Sequence, residues 1–339
     1  MTQTRRRFMG TAAATTLLSA CATPLAARSG NPDIEIFDSA AEGLLRPSER
    51  IESLSSGFTW SEGPVWDRKR NCLYFSDVPG NIVWKWTEAE GAIEFLNPSG
   101  IAGTNATGFR EPGANGLAIS QDGHMLICNH GRRAIEKMNI DTGQRVLLAG
   151  EFDGKPFNSP NDVVEGPDGS LYFTDPPYGL EGLDESPLKQ QDANGVYRLS
   201  PDGTVSRLID TMTFPNGAAL STDGQTLYVS QSDPERPVIL RMATDGSAQS
   251  VLFDASRFMT DAAPGLPDGM AVAASGHILA TGPGGVFLLA PNGRPLARIN
   301  TGKATANCCF GGPDGQTLYM TAHDTLMRIR TKMRGLAWS

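Results

Sequence analysis

Cysteine is scarce in this chain, and the few that occur are not arranged for chemistry. Five are spread over 339 residues, with no CxxC pair and no histidine partner at a metal-site spacing. Cys72, Cys128, Cys308 and Cys309 each lie inside an apolar run, and a bridge between the adjacent Cys308 and Cys309 would be strained. A disulfide scaffold and a thiolate zinc site are thereby excluded, which leaves small buried hydrophobes. Basic charge is also short: 29 Lys and Arg stand against 37 Asp and Glu, a formal net charge of −8. Nucleic acid is disfavoured as a partner, because it demands clustered basic residues. Long apolar runs are missing too. The N-terminal "TAAATTLLSA" is too short for a conventional membrane span.

The surroundings of that run give it a meaning. "TRRRFMG" precedes it and "CATPLAARSG" follows, so residues 1–30 read as a bacterial twin-arginine export signal. "LLSAC" also fits a lipobox, with Cys21 as the lipid-modified first residue; cleavage after "PLAA" is the other reading. The expected location is periplasmic, with membrane contact only through a lipid on Cys21. Glycine and proline are plentiful, at 38 and 23, and 40% of residues are hydrophobic. That describes a globular, turn-rich chain with material for a sizeable core.

One pattern recurs six times. Its opening segments are "EGPVW" at Glu62, "NGLAIS" at Asn115, "NDVVEG" at Asn161, "NGAALS" at Asn216, "DGMAVA" at Asp268 and "NCCFGG" at Asn307. Each leads through a turn such as "PDGS" or "TDGQ" into a second apolar run, then a third. Five repeats have a fourth run; the sixth lacks one, while "RIESLSS" stands unpartnered before the first. A period of roughly 40–55 residues belongs to propellers. The expectation is an all-β, six-bladed β-propeller over residues 31–339, its four-stranded blades closed into a ring by an N-terminal strand.

In such a ring the first strand of every blade lines the central channel, so six polar strand starts converge at one end. Asn and Asp beside Gly or Pro are ordinary turn residues, but a Glu is not called for by turn chemistry. A ring of Glu, Asn and Asp is costly to desolvate unless it binds something. Donors that are all oxygen suit a hard cation: Ca²⁺ first, with Mg²⁺ or Mn²⁺ as alternatives and Zn²⁺ as a further one.

"SEGPVWD" at 61–67, "PNDV" at 160–163, "PNGAAL" at 215–220 and "PDGMAV" at 267–272 resemble, in this order, the gluconolactonase, regucalcin (senescence marker protein) and diisopropylfluorophosphatase family. The resemblance runs through essentially the whole chain after the signal. It implies a six-bladed propeller with a divalent cation, usually calcium, held by Glu62, Asn161, Asn216 and Asp268. It also implies hydrolysis of lactones or organophosphates. At such a site a cation polarises a carbonyl or phosphoryl oxygen, and Asp268 is the carboxylate placed to take a proton. One departure matters: where the regucalcin branch carries a substrate-holding arginine, this chain has Ser159.

Antiparallel pairing returns the end of each second strand to the same mouth. His130 is therefore a candidate for proton transfer. Asn115, Tyr178, His323 and Arg132 are candidates for substrate contact, Tyr178 from within the long insertion "PPYGLEGLDESPLKQQDANG". The expected activity is an exported, metal-dependent opening of a small-molecule sugar lactone. The alternatives are organophosphate or aryl-ester hydrolysis at the same site, or a non-catalytic propeller with structural calcium. The oligomeric state is left open.

Overall fold

A computed structural model of the chain describes residues 31–336. The export-signal and Cys21 readings lie outside the described residues. The repeats fold as six antiparallel blades. Blade one is Ser61–Asp67, Cys72–Asp77, Ile82–Thr87 and Gly91–Leu96, hydrogen-bonded in that order. Blades two to five repeat this order, and their innermost strands are Ala114–Ile119, Val163–Glu165, Pro215–Leu220 and Met270–Val272.

Blade six draws on both ends of the chain. Thr305–Gly311, Thr317–Ala322 and Thr325–Arg330 are joined by Glu52–Ser56, which pairs antiparallel with Thr325–Arg330 from Glu52↔Arg328 to Ser56↔Thr325. A second N-terminal segment, Ile34–Ile36, adds a fifth strand to blade five beside Pro295–Asn300. A run of three residues carries too little periodicity to be read as a strand beforehand.

Why these runs are strands follows from what covers them. Second strands are sandwiched between neighbouring blades, so Cys72–Asp77, Met125–Asn129 and Leu171–Asp175 are buried along their whole length. They read as continuous apolar runs because both faces are covered. Outer strands face water on one side, and Val146 and Leu147 in Arg145–Ala149 are exposed. Between blades the core is aromatic. Trp66 stacks on Tyr319 at 5.3 Å across the blade six–blade one seam, and Phe157 meets Phe173 edge-on at 5.2 Å. Among the described residues the cysteines are free; Cys72, Cys128 and Cys308 are buried and Cys309 partly so.

Pairing of Glu52–Ser56 gives a test. A chain beginning at residue 31 is expected to fold, whereas one beginning after Ser56 leaves Thr325–Arg330 as a bare edge and aggregates. Size-exclusion chromatography and circular dichroism of both forms check this. A soluble, cooperatively folding shorter form would contradict it.

Candidate active site in the channel mouth

The strand starts are set in place by a repeated local device. Near the end of the second strand a hydroxyl reaches the next blade's first strand. Ser76 Oγ donates to Asn115 O at 2.7 Å, Thr174 Oγ1 to Asn216 O at 2.5 Å and Ser230 Oγ to Asp268 O at 2.7 Å. The next residue clamps the incoming loop of its own blade. Asp77 accepts from Thr59 N and Trp60 N at 3.0 and 3.1 Å, and Asp175 from Asn158 N and Ser159 N at 2.7 and 2.8 Å. Glycines let the strand starts close up: a Cβ on Gly63 would lie 2.2 Å from Asn115 O, and one on Gly217 2.3 Å from Asp268 O. Six polar residues are thus held at one end of the channel.

They do not all point the same way. Asn307 turns back, its Oδ1 accepting from Cys308 N at 2.8 Å. Asn115 sets its Nδ2 3.3 Å from the buried His130 Nε2. Glu62, Asn161, Asn216 and Asp268 are the four that the family resemblance assigns to a cation. Among the described residues no three His, Cys, Asp or Glu side chains form a metal-holding group, so this is a mixed set of two carboxylates and two amides.

The bonding of this set fits a hard cation. Asn216 Nδ2 donates to Ser232 Oγ at 2.9 Å, which leaves its buried Oδ1 with no partner. Glu62 is buried; one carboxylate oxygen accepts from Gly63 N at 2.9 Å, and the Trp60 indole donates toward it. Burial pushes Glu62 and Asp268 well above the usual carboxylate range, and the Glu62 charge raises Asp268 further. Among the described residues no ion pair reaches either carboxyl. Two desolvated carboxyls and an orphaned amide oxygen, with no cationic side chain to offset them, are what a Ca²⁺-type ion would satisfy.

Two more acids belong here that sequence reasoning did not assign. Asp162 is buried in the channel, accepting from Val163 N and Ala218 N at 2.9 and 3.0 Å, and burial raises it to about 6. Its place directly after Asn161 was visible, but its tie to the next blade was not. Glu111 is buried at the end of the insertion before Ala114–Ile119, and its charge is felt at Glu62 and Asp268. Nothing in "FREPGANG" marks it, because the loop pairing that brings it in is long-range.

The remaining candidates divide. Tyr178 is half-buried, stacks on Phe214 at 5.8 Å and sets its hydroxyl against Ser232 and Asn216, so it lines the site. His323 is on the rim, 54% exposed in its side chain and edge-on to Trp60 at 5.4 Å. His130 departs from the expected proton-transfer role. It has no exposed surface, burial lowers it to about 3, and its Nε2 is taken up with Asn115. Its position suits it to orient that amide. Arg132 also departs from expectation: its guanidinium lies 3.5 Å from Glu136 on the third strand of its blade, away from the channel set.

Known proteins resemble this chain over most of its length. The family model described as "SMP-30/Gluconolactonase/LRE-like region" matches residues 60–324. The chain is 43% identical over 307 residues to the gluconolactonase of Zymomonas mobilis, covering 88% of this chain and 86% of that one. A solved gluconolactonase from Xanthomonas campestris superposes with a TM-score of 0.74 at 32% identity, over 91% of this chain and 99% of that one. A calcium-binding protein, regucalcin from Agrobacterium tumefaciens, shares the fold with a TM-score of 0.66 at 20% identity, over 85% and 95% of the two chains. The chain belongs to the SMP-30/gluconolactonase/LRE-like family.

Proposed function

We propose that this protein is an exported lactone hydrolase of the gluconolactonase type, acting on an aldonolactone with a divalent cation, calcium by donor chemistry, in its channel mouth. The observation that carries the reading is the uncompensated Glu62–Asp268 pair beside the orphaned Asn216 Oδ1, in a chain so similar to a gluconolactonase. Glu62, Asn161, Asn216 and Asp268 would hold the cation, which when bound supplies Lewis-acid polarisation of the lactone carbonyl.

The rest is done by side chains. Asp268 keeps part of its surface open to the mouth, so a carboxylate oxygen can take a proton from the attacking water as the acyl C–O bond forms. The same carboxyl then returns that proton to the ring oxygen as the ring bond breaks, and a hydroxy acid leaves. Asn161 and Asn216 are neutral amides that cannot take that proton, and serve to hold and orient. Tyr178 and Phe214 wall one side of the mouth, with Trp60 and His323 at its rim.

Export is part of the proposal and rests on "TRRRFMG" and the segment after it. Periplasmic sugar oxidation yields lactones, which suits that location. A panel of aldonolactones, unsubstituted lactones, aryl esters and organophosphates, followed by proton release with and without chelator, tests the activity. Chelator-sensitive turnover that favours aldonolactones is expected. Preference for organophosphates would overturn the substrate class, and inertness toward the whole panel would leave a binding protein.

A further inference from the structure

Two insertions meet over blades two and three and build one side of the mouth. Phe109 bridges to Leu180, Glu181 N donates to Gly108 O at 2.9 Å, and Arg110 N and Glu111 N both donate to Gly179 O, at 2.9 and 3.3 Å. Ser159 is fully buried beneath this joint, its Oγ donating to Pro176 O at 2.6 Å and accepting from Gly179 N at 2.9 Å. No side chain at 159 can therefore reach substrate without opening the joint.

The joint presents Arg110 instead. Its side chain is 51% exposed, and Nε and Nη2 both donate to Glu111 Oε1, the first at 3.1 Å. The other carboxylate oxygen, Oε2, lies 3.7 Å from His130 Nδ1, whose Nε2 faces Asn115 Nδ2. One buried carboxylate thus fixes a guanidinium, while the neutral His130 imidazole beside it faces the Asn115 amide. Neighbouring cations are already engaged: Arg133 donates to Asn158 O, and Lys303 is bonded to Asp324. Arg110 keeps Nη1 unbonded among the described residues.

We propose that Arg110 contacts substrate, donating to ring hydroxyls of a polyhydroxylated lactone, and that Glu111 is the positioning residue that holds Arg110. The inference rests on the lactonase reading. A guanidinium already held on one edge loses little freedom when its other edge binds, which is why a fixed rim arginine discriminates by hydroxyl pattern. A lactone without hydroxyls gains nothing from it.

The test compares the full chain with Arg110→Ala, Arg110→Lys and Glu111→Gln. Turnover of δ-gluconolactone and of unsubstituted δ-valerolactone is measured, together with calorimetric binding of 1,5-anhydroglucitol, a hydroxylated ring without the carbonyl. Arg110→Ala is expected to raise KM for gluconolactone and to weaken ring binding by roughly ten- to hundredfold, the usual size for hydrogen bonds to a charged group. The preference for gluconolactone over valerolactone should fall by the same factor. Arg110→Lys should recover part of the loss, and Glu111→Gln should shift KM in the same direction. An equal effect on both lactones, or unchanged ring binding, would overturn the proposal. A wild-type protein that binds the ring through Arg110 yet opens no lactone would instead overturn the lactonase reading and leave the subsite standing.

Discussion

Asp268→Asn is expected to lower kcat for lactone opening by roughly 10²–10⁴-fold, the usual contribution of a positioned general base. The substitution keeps the shape and one oxygen donor, and removes the charge and the basicity. The fold should survive, because the main-chain bonds that set this residue, Ser230 Oγ to its carbonyl and its N–H to Thr281 Oγ1, do not involve the carboxyl. Metal affinity should fall but not vanish, so the comparison is made at saturating calcium. Asn161→Ala separates the two roles: it weakens metal binding, and excess calcium restores much of its activity. Should Asp268→Asn turn over at near wild-type rate with metal saturated, the base lies elsewhere and Glu62→Gln becomes the next variant to measure.

Removing the cation is expected to destabilise the protein, and more strongly as pH rises. In the unfolded chain the Glu62 and Asp268 carboxyls release protons near pH 4. In the folded, metal-free site burial holds those protons to higher pH, and Asp162 beside them to about 6. Such groups contribute stability below the unfolded values and lose it as pH climbs through the folded ones. Surface acids such as Asp324, which Lys303 lowers to about 2, act in the opposite sense. Those acids are unchanged by metal, so the useful quantity is the difference in Tm between calcium-loaded and chelated protein at each pH. That difference should be small near pH 5 and grow toward pH 8, corresponding to about 2.7 kcal/mol of added stability when free calcium is a hundred times Kd. A difference that is flat with pH would mean that the carboxyls are not the ligands.

The blades were legible in the sequence because strand, turn and strand recur with the same polar opening, and a propeller needs little long-range information beyond that repeat. Six candidates could be named because strand starts share one end of the channel, and it was the family resemblance that picked Glu62, Asn161, Asn216 and Asp268 from among them. What could not be read was direction. Asn115 and Asn307 open their strands like the other four, yet one leans to His130 and the other folds onto Cys308 N. Those choices depend on neighbours in other blades. Glu111 was invisible for the same reason, since Gly179, to which its loop pairs, lies far along the chain. His130 was expected at the mouth as a proton-transfer candidate, but its burial, which suits it to orient an amide instead, comes from the packing of Gly179 against it.

The most direct measurement follows proton release from δ-gluconolactone by chelated protein as calcium is titrated back, with bound metal counted on the same sample. Activity should start near zero and rise in proportion to metal, levelling at about one ion per chain, as expected for an oxygen-donor site. Full activity from metal-free protein, or activity that tracks zinc bound to cysteine or histidine, would contradict the assignment of Glu62, Asn161, Asn216 and Asp268 as the centre of this enzyme.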